Sequence, residues 1–474
     1  MIKLYPDLAT PARISDQTGA ALNDLIGLLC RTGDILKELT VSRSSLLWFT
    51  NNLRLDDNSV FNAVSEDTKL HCIYIHDPRI ELFFHLGEKH LSTHRTQFLQ
   101  QTISTLDQQL STLGQCLHRI DGDYLESLTR LVQQHSIDKI VTSRHTGSYE
   151  QQALKAIAKR FPHLQIVVEE TATIFQESQL PFALSDLDNS FTPFRKRVEG
   201  LVIDQPVTAP TSLPPPILQS SISKPVELTA SVHGGEVAAL RHLETYFNST
   251  APLTYKETRN ALDDWQSSTK LSPWLAVGAL SCRRVIARLS EYESQNGANE
   301  STYWIKFELL WREYFQWYAL HWGDRLYAFK GPHNRNPLTS YYAERFRAWR
   351  EGHTHYPIIN AAMKQLKATG YISNRARQLV ASCLVHELAI DWRYGAEYFE
   401  QQLLDFDIAS NWGNWQYLAG VGADPRGHRQ FNLEKQTEIH DPQHRFIKSW
   451  DGHKDCQTTA LFDYYGDPLW PVNK

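Results

Sequence analysis

The chain has 474 residues, 42% of them hydrophobic, and a formal net charge of -5 at pH 7. This length favours two or more domains over one small core, and no apolar run approaches the ~20 residues that a membrane helix needs. The negative charge excludes nucleic-acid binding through the overall field, so any such contact requires a local basic patch.

The six cysteines are scattered without CxxC spacing, which argues against a zinc site, an iron-sulfur cluster and a disulfide framework. We therefore expect no metal. The N-terminus carries Asp7, Asp16 and Asp24 and resembles neither a secretory signal nor an Arg-rich transit peptide. We expect a cytoplasmic protein that does not contact a membrane.

Residues 1–44 precede the first strand signal and are predicted to form an N-terminal extension. An amphipathic pattern from Ala20 to Leu39 is typical of a packing helix, and a disordered leader is the alternative.

Residues 45–175 alternate short apolar runs with amphipathic helical patterns, which predicts an α/β domain with a parallel sheet and crossover helices. The predicted strands are 45–50, 70–75, 139–143 and 164–168, and the predicted helices are 90–111, 123–135 and 149–160. No GxGxxG or GxxxxGK(S/T) motif follows a strand, so the common nucleotide sites on such a sheet lack support.

Residues 176–233 form the predicted interdomain linker, because the stretch 205–225 is rich in turn residues and includes Pro214, Pro215 and Pro216. Strand signals disappear in residues 234–474, where helical periodicity dominates. The predicted helices are 236–247, 274–292, 301–322, 359–368, 374–388 and 395–404. The C-terminal domain is therefore predicted to be all-α.

The segment SSTKLSPWLAVGALS (267–281) carries several hydroxyl side chains just ahead of Pro273, a residue suited to the start of a helix. Free backbone N-H groups at such a start can bind phosphate. A serine that only caps the helix is the alternative.

The segment FELLWREYFQWY (307–318) places Glu308, Trp311, Arg312 and Phe315 on one face of a helix. A carboxylate and a guanidinium beside an indole on one face indicate a binding surface rather than ordinary core packing.

Two further segments bring polar groups together within one helical turn. Gly370 suits the end of a helix, after which Ser373 can cap the next. Asn374 and Arg377 then lie one turn apart on that helix.

In LLDFDIASNWGNWQYLAG (403–420), Asp405 and Asp407 alternate, and Asn411 and Trp415 are one turn apart. Ion pairing and hydrogen bonding to a ligand explain the two carboxylates, with metal ligation as the alternative.

These motifs, TKLSPWL, WREYF, NRARQ, DWRYGAEYF and SNWGNWQY, resemble the photolyase/cryptochrome family from about Ser45 to Trp450. The segments LPFALSDLDNSFTPFRKRVE and NWQYLAGVGADPR are similar to sequences of the DASH cryptochrome branch. The resemblance implies a photolyase-like fold, in which an N-terminal α/β parallel-sheet domain precedes an all-α FAD-binding domain, and light-driven electron transfer.

The resemblance also implies an FAD site with a phosphate-gripping loop at 268–272. The implied FAD-binding residues are Tyr255, Ser268, Thr269, Lys270, Leu271, Ser272, Arg312, Asn374, Arg377, Asp405, Phe406 and Asp407. Arg377 neutralises Asp405, and positive charge nearby favours a reduced, anionic flavin.

The implied substrate is DNA that contains cyclobutane pyrimidine dimers. The implied substrate-binding residues are Arg259, Glu308, Trp311, Arg375, Gln378 and Tyr417. Gln378 and Tyr417 stand where photolyases acting on double strands typically have Met and Trp. The resulting pocket is less apolar and recovers less of the unstacking cost, which favours lesions in single-stranded DNA.

For electron transfer, the resemblance implies Asn411 beside the flavin N5 atom and Trp415 and Trp392 as the inner members of an indole chain. The outer indole is missing, and Tyr341 or Tyr342 is left as the candidate outer donor.

Glu150 is the nearest candidate contact for a folate antenna (5,10-methenyltetrahydrofolate), and a solvent-facing helix residue is the alternative. The sequence thus predicts a monomeric, light-dependent repair flavoprotein. A signalling photoreceptor without repair activity is the second hypothesis, and a (6-4) photoproduct enzyme is disfavoured because Ser373 replaces the expected His.

Overall fold

The structure is a computed structural model that describes residues 43–83, 86–219, 232–424 and 429–454. Residues 1–42 of the predicted N-terminal extension, which include its amphipathic pattern at 20–39, lie outside the described residues. From Ser44 onward the chain forms one compact unit. The boundaries proposed at 175 and 233 remain predictions.

Five parallel strands form the main sheet, and two short antiparallel strands lie apart from it. The strands are β1 (Ser44–Phe49), β2 (Lys69–His76), β3 (Leu82–Phe83), β4 (Glu88–Lys89), β5 (Leu117–Asp121), β6 (Lys139–Ser143) and β7 (Gln165–Glu169). The order across the main sheet is β5-β2-β1-β6-β7. The predicted parallel sheet is confirmed.

The central strand β1 is buried on both faces, which explains its continuous apolar sequence. Leu47 and Phe49 pack in one core cluster, whereas Leu46 and Trp48 pack in another on the opposite face. The prediction missed β5, whose sequence LHRID is largely polar because the strand lies at the sheet edge.

Crossover helices connect the strands close to their predicted positions. They are α1 (Thr93–Thr112), α2 (Tyr124–His135) and α3 (Ser148–Arg160), and α4 (Phe191–Val198) follows. Single-turn 3-10 helices cover Ser59–Val64, Pro78–Glu81, Glu177–Gln179, Leu184–Asp186, Ala251–Thr254 and Gly323–Tyr327.

The C-terminal part is built from helices, and beyond position 234 the described residues form no strand. These helices are α5 (Glu236–Phe247), α6 (Tyr255–Thr258), α7 (Ser272–Ala276), α8 (Cys282–Asn296), α9 (Glu300–Trp322), α10 (Ala343–Glu351), α11 (Pro357–Thr369), α12 (Asn374–Ser382), α13 (Trp392–Gln402), α14 (Ile408–Leu418), α15 (Leu433–His440) and α16 (Arg445–Ser449). The predicted fold class is confirmed. No helix in the described part of the chain is long and apolar enough to cross a bilayer.

Two helix predictions were wrong in their extent. The span 274–292 is not one helix, because the chain breaks at Gly278, where φ is +67°. The span 374–388 contains an α-helix only to Ser382, and a π-helical turn follows at Cys383–Glu387.

A buried polar junction fixes the sheet against the helices. The Arg54 guanidinium is buried and donates to the backbone carbonyls of Asp57 at 2.7 Å, Thr171 at 2.9 Å and Gly278 at 2.9 Å. These carbonyls come from three distant segments, so one side chain joins all of them.

Two carboxylates complete this junction. Asp57 accepts from Arg283 Nη2 at 2.9 Å, and its other oxygen accepts from Ser281. Glu236, at the start of α5, accepts from the backbone N-H groups of Leu55 at 3.0 Å and Asp56 at 2.7 Å. Each buried charge therefore has partners, as burial requires.

Gly278→Ala tests this junction. A Cβ at position 278 would lie 1.8 Å from the Asn51 carbonyl oxygen, so we expect a loss of roughly 2–4 kcal/mol in the free energy of unfolding from strain and overpacking. Urea unfolding measures it. Gly297→Ala is the matched control, because Gly297 also has a positive φ but has open space around it. Equal losses in the two variants would contradict the close approach.

Candidate functional site

A cavity of ≈ 490 Å³ opens into the helical part, and a smaller one of ≈ 110 Å³ adjoins it. Asn374, Arg377, Asp405 and Asp407 line both. The larger cavity lies among α6, α7, α9, α12 and α14, so its wall combines segments that lie between Tyr255 and Arg429 along the chain.

Most predicted site residues converge on these cavities. The larger one is lined by Tyr255, Arg259, Thr269, Leu271, Ser272, Glu308, Trp311, Arg312, Asn374, Arg377, Gln378, Asp405, Asp407 and Tyr417. Asn411 and Trp415 line the smaller one. Six predicted residues line neither: Glu150, Ser268, Lys270, Arg375, Trp392 and Phe406.

The loop before α7 does not end in a serine cap. The helix begins at Ser272, its N-cap is Leu271, and no side chain caps it. Thr269 is held instead through its backbone carbonyl, which accepts from His242 Nε2 at 2.8 Å. The alternative of a serine that only caps the helix is therefore not what the structure shows.

Lys270 brings a buried cation beside the cavity wall. Its backbone has φ of +52°, and its ammonium lies 5.3 Å from the ring centroid of Tyr371 and 5.9 Å from that of Trp265. Burial, with a further contribution from Arg377, lowers the pKa of Lys270 to about 8. The positive charge at this end suits an anionic ligand.

Arg377 and Asp405 form a close ion pair in the wall shared by both cavities. Arg377 Nη2 donates to Asp405 Oδ1 at 3.0 Å and Oδ2 at 2.8 Å, and Arg377 Nε donates to the Ile372 carbonyl at 3.0 Å. The Asp405 side chain is only 2% exposed. A buried carboxylate is thus neutralised without using every donor of the guanidinium.

Asp407 is fixed by protein partners as well. Its Oδ1 accepts from the Ser410 backbone N-H at 2.7 Å and so caps α14, while Gln316 Nε2 donates to both oxygens at 3.0 and 2.8 Å. Arg312 Nη2 lies 3.7 Å from Asp407 Oδ2. Sequence reasoning missed Gln316, although it follows Arg312 by one helical turn and could have been found on that face.

These contacts account for both carboxylates without a metal. Among the residues that the structure describes, no group of three or more His, Cys, Asp or Glu side chains is arranged to hold a metal ion.

The mouth of the larger cavity combines charge with aromatic rings. Arg259 forms an ion pair with Glu308, and the Arg259 guanidinium lies 4.4 Å from the ring centroid of Trp304. Burial raises the pKa of Glu308, and Arg259 opposes that effect. Sequence reasoning missed Trp304, which lies one turn before Glu308 on α9.

Trp311 has its ring fixed on two sides. It stacks on Phe191 with ring centroids 3.9 Å apart, and the Tyr417 ring meets it edge-on at 5.8 Å. The Arg429 guanidinium lies over the Tyr417 ring, 4.2 Å from its centroid. Phe191 was missed because it comes from a segment far away in sequence, and Arg429 because it lies beyond the end of α14, the helix that carries Tyr417.

Arg375 lies outside the cavity lining, where its Nη2 donates to Asn260 Oδ1 at 3.1 Å. The Nε atoms of Arg375 and Arg259 are both buried without a hydrogen-bond partner. Two unsatisfied guanidinium donors at one end of the cavity suit a ligand with acceptor oxygens.

The indole rings behind the smaller cavity are buried. Trp415 packs against Trp349, with ring centroids 6.3 Å apart, and its ring touches Gly395 on α13, where a Cβ would lie 2.2 Å away. Trp392 starts the same helix. Asn411 Nδ2 donates to the Ala396 carbonyl at 3.0 Å, so its amide oxygen remains available to a ligand.

Glu150 lines neither of these two cavities. It lines a third cavity of ≈ 140 Å³, together with Phe406 and Asp407. Tyr124 donates to Glu150 Oε1 at 3.0 Å, and His145 Nδ1 lies 3.3 Å from Oε2. Glu150 is buried, so the solvent-facing alternative is wrong.

His145 responds to this carboxylate. Burial alone lowers the pKa of His145, but the neighbouring Glu150 carboxylate outweighs burial and raises it. The pair is therefore charged over a wider range of pH than an isolated histidine would allow.

Two family models match the chain. One, described as the FAD binding domain of DNA photolyase, matches residues 304–458, and the other, described as DNA photolyase, matches residues 45–214. A cryptochrome DASH from Idiomarina loihiensis is 51% identical over 437 residues, which cover 91% of this chain and 97% of that protein.

Solved structures agree with these matches. A cryptochrome from Synechocystis sp. is 34% identical with a TM-score of 0.81, covering 86% of this chain and 88% of that one. A bacterial class III photolyase from Agrobacterium tumefaciens is 26% identical with a TM-score of 0.74, covering 86% of each chain.

The Arg377–Asp405 pair allows a test that needs no ligand. Asp405→Ala leaves the Arg377 cation buried without its partner, so we expect a loss of about 2–4 kcal/mol in the free energy of unfolding of the ligand-free protein. The double variant Arg377→Met, Asp405→Ala removes both charges. Urea unfolding should show it to be less destabilised than the sum of the single variants by about 1–3 kcal/mol. Strict additivity would contradict the pairing.

Proposed function

Because the chain belongs to the photolyase/cryptochrome family, in its cryptochrome DASH branch, we propose that it repairs cyclobutane pyrimidine dimers in single-stranded DNA under blue light. Its helical part is an FAD-binding domain. Dimer repair, the preference for single strands, a monomeric state and action in the cytoplasm are the parts that we propose.

The residues of the cavity fit FAD. The buried Lys270 cation and the uncapped start of α7 suit phosphate oxygens, and we propose that loop 268–272 holds them. The Arg377–Asp405 pair supplies a charged, hydrogen-bonding wall for a planar ring with a polar edge. Asn411 offers an amide oxygen deeper in the same site.

When bound in its reduced state and excited by light, the flavin supplies one electron that splits the dimer and returns afterwards. The protein side chains bind and orient the lesion. Glu308 would accept or donate a hydrogen bond to the damaged bases, and the fixed ring of Trp311 would stack on them.

One observation supports repair over signalling alone. Glu308 and Trp311 line the same cavity as Arg377 and Asp405, so a dimer bound by the first two residues would share that cavity with a flavin bound by the other two. A photoreceptor that only changes conformation has no need of lesion-binding groups there.

The preference for single strands rests on a balance of free energies. Extracting a dimer from a duplex costs a few kcal/mol of unstacking and unpairing, which single strands largely avoid. Gln378 and Tyr417 both line the cavity and offer polar groups rather than a purely apolar surface. The unsatisfied Nε atoms of Arg259 and Arg375 are suited to backbone phosphates beside the lesion.

We propose that Trp415 and Trp392, which are both buried, pass the electron that reduces the flavin. We also keep a folate antenna as a proposal for the third cavity. The Glu150 carboxylate is already bonded to Tyr124 and His145. It can still accept a hydrogen bond from a ligand, because a carboxylate has about four lone-pair sites.

Glu308→Gln tests the repair function. Removing this carboxylate should weaken binding of a dimer-containing single strand by about 1.5 kcal/mol, roughly tenfold in the dissociation constant, and leave FAD content unchanged. Binding and blue-light repair are measured on single- and double-stranded substrates. Glu300→Gln on the same helix is the matched control, since Glu300 pairs with Lys256 and its side chain is 73% exposed.

Wild-type protein that retains FAD but repairs neither substrate would overturn the repair proposal in favour of signalling. Equal repair of the single-stranded and double-stranded substrates would contradict the proposed preference for single strands. Unchanged binding in Glu308→Gln would contradict the proposed role of Glu308 in binding the lesion.

Trp415→Phe tests electron supply separately from repair. Phenylalanine is a far poorer electron donor than tryptophan, so photoreduction of the oxidised protein should slow strongly. Repair by chemically reduced protein should stay close to the wild-type rate. Flavin absorbance and dimer repair are followed in parallel, with Trp450→Phe as the control because Trp450 bonds to Asp263 near the surface. Equal loss of both activities would contradict the assigned role.

A further inference from the structure

Trp412 differs from the neighbouring indoles of Trp392 and Trp349 because its N-H donates to a carboxylate. Trp412 Nε1 donates to Glu400 Oε2 at 3.0 Å. The nearby indoles of Trp392 and Trp349 donate instead to the backbone carbonyls of Phe329 at 3.0 Å and Val380 at 2.9 Å. A carboxylate can take up a proton at accessible pH, whereas a backbone carbonyl cannot.

Trp412 is also in contact with the proposed electron chain. Its ring meets that of Trp392 edge-on, with centroids 5.7 Å apart and planes at 79°. On its other side lies Tyr327 at 4.9 Å. Trp412 is buried, and it begins the turn that ends at Trp415 on α14.

Glu400 faces a mixed set of charges from several elements. Arg95 on α1 is the nearest cation, Glu397 lies on the same helix, and Glu150 lies on α3. Burial raises the pKa of Glu400 to about 7, against the opposing effects of Arg95 and the Trp412 hydrogen bond. Tyr327 is a further titratable neighbour, and His145 lines the same cavity as Glu400.

Glu400 has a route for proton exchange that the interior of the helical core lacks. It lines the third cavity, together with His145 and Glu150. A carboxyl group that borders a polar cavity can pass a proton on to water or to these neighbours.

We propose that Glu400 accepts the indole proton of Trp412 when Trp412 gives up an electron to the chain formed by Trp392 and Trp415. This inference rests on the photoreduction in the proposed function. It makes Trp412 a proton-coupled outer donor of this chain, in place of the outer indole that its sequence lacks.

The proposed step conserves both electrons and protons. One electron leaves Trp412 for oxidised Trp392, and the oxidising equivalent comes from the light-excited oxidised flavin of the FAD-binding domain. The N-H bond of Trp412 breaks, and its proton forms an O-H bond on Glu400. Trp412 is left as a neutral radical and Glu400 as a neutral acid. Loss of the proton slows the return of the electron, because the indole must be reprotonated first.

Tyr341 is the competing outer donor. It is 47% exposed and stacks on Tyr394 with ring centroids 4.3 Å apart. Its segment adjoins Trp392, since the Asp391 N-H donates to the Ser340 carbonyl at 2.8 Å. The structure favours Trp412, because its ring packs against that of Trp392 and a carboxylate already accepts a hydrogen bond from its indole N-H.

The test is transient absorption after a blue flash on the oxidised FAD-bound protein, which separates neutral tryptophan radicals, their cations and tyrosine radicals by their spectra. The yield of the neutral tryptophan radical should fall about tenfold from pH 8 to pH 6, as Glu400 becomes protonated. Glu400→Gln and Trp412→Phe should abolish the neutral radical at both pH values, and Tyr341→Phe should leave it.

Glu397→Gln is the matched control on the same helix. Removing this like charge lowers the pKa of Glu400, so the radical should persist with its pH midpoint shifted downward. Infrared titration of the Glu400 carboxyl in the dark, as a difference between wild type and Glu400→Gln, supplies a readout that is independent of photochemistry. It should show a group that titrates near pH 7.

A pH-independent radical yield in the wild type would overturn the inference, and so would a neutral tryptophan radical in Glu400→Gln. A tyrosine radical in place of the neutral tryptophan radical, lost in Tyr341→Phe but not in Trp412→Phe, would overturn the inference and assign the outer donor to Tyr341. Absence of any photoreduction in the wild type would instead overturn the proposed electron supply itself. If Glu400→Gln fails to fold, the wild-type pH titration and Trp412→Phe still decide.

Discussion

The relative position of the sheet and the helices depends on one buried guanidinium, that of Arg54. A charge of this kind costs several kcal/mol to bury unless its donors are all satisfied. Arg54 meets that requirement only where segments around Asp57, Thr171 and Gly278 come together. Since Gly278 directly follows α7, the same contact fixes the helix at one wall of the larger cavity.

The same requirement organises the cavity, but there it is met only in part. Asp405 and Asp407 have their partners in Arg377 and Gln316, which makes the wall rigid before any ligand binds. The Nε atoms of Arg259 and Arg375 at the mouth have none. The cavity wall is therefore preorganised around its two carboxylates, while two guanidinium donors beside it are left unpaired.

Two buried carboxyl groups accept from indoles, and their surroundings give them different roles. Burial raises the pKa of both Glu313 and Glu400 to about 7. Glu313 accepts from Trp317 Nε1 at 2.7 Å and from the Ile174 backbone N-H at 2.6 Å, so it holds the chain after β7 against α9. Glu400 borders a cavity that His145 and Glu150 also line, so the same local bond can support proton transfer there.

The sequence alone determined the parallel sheet, the helical C-terminal part and most residues of the large cavity. It could do so because buried strands and amphipathic helices leave periodic patterns, and because the motifs around Arg377 and Asp405 resemble those of a known flavoprotein family. It could not place the break at Gly278, which depends on the approach of Asn51. Only the tertiary structure decided that Glu150 is buried and that Glu400 holds the indole of Trp412, because both depend on contacts between side chains of separate elements, which no local pattern records.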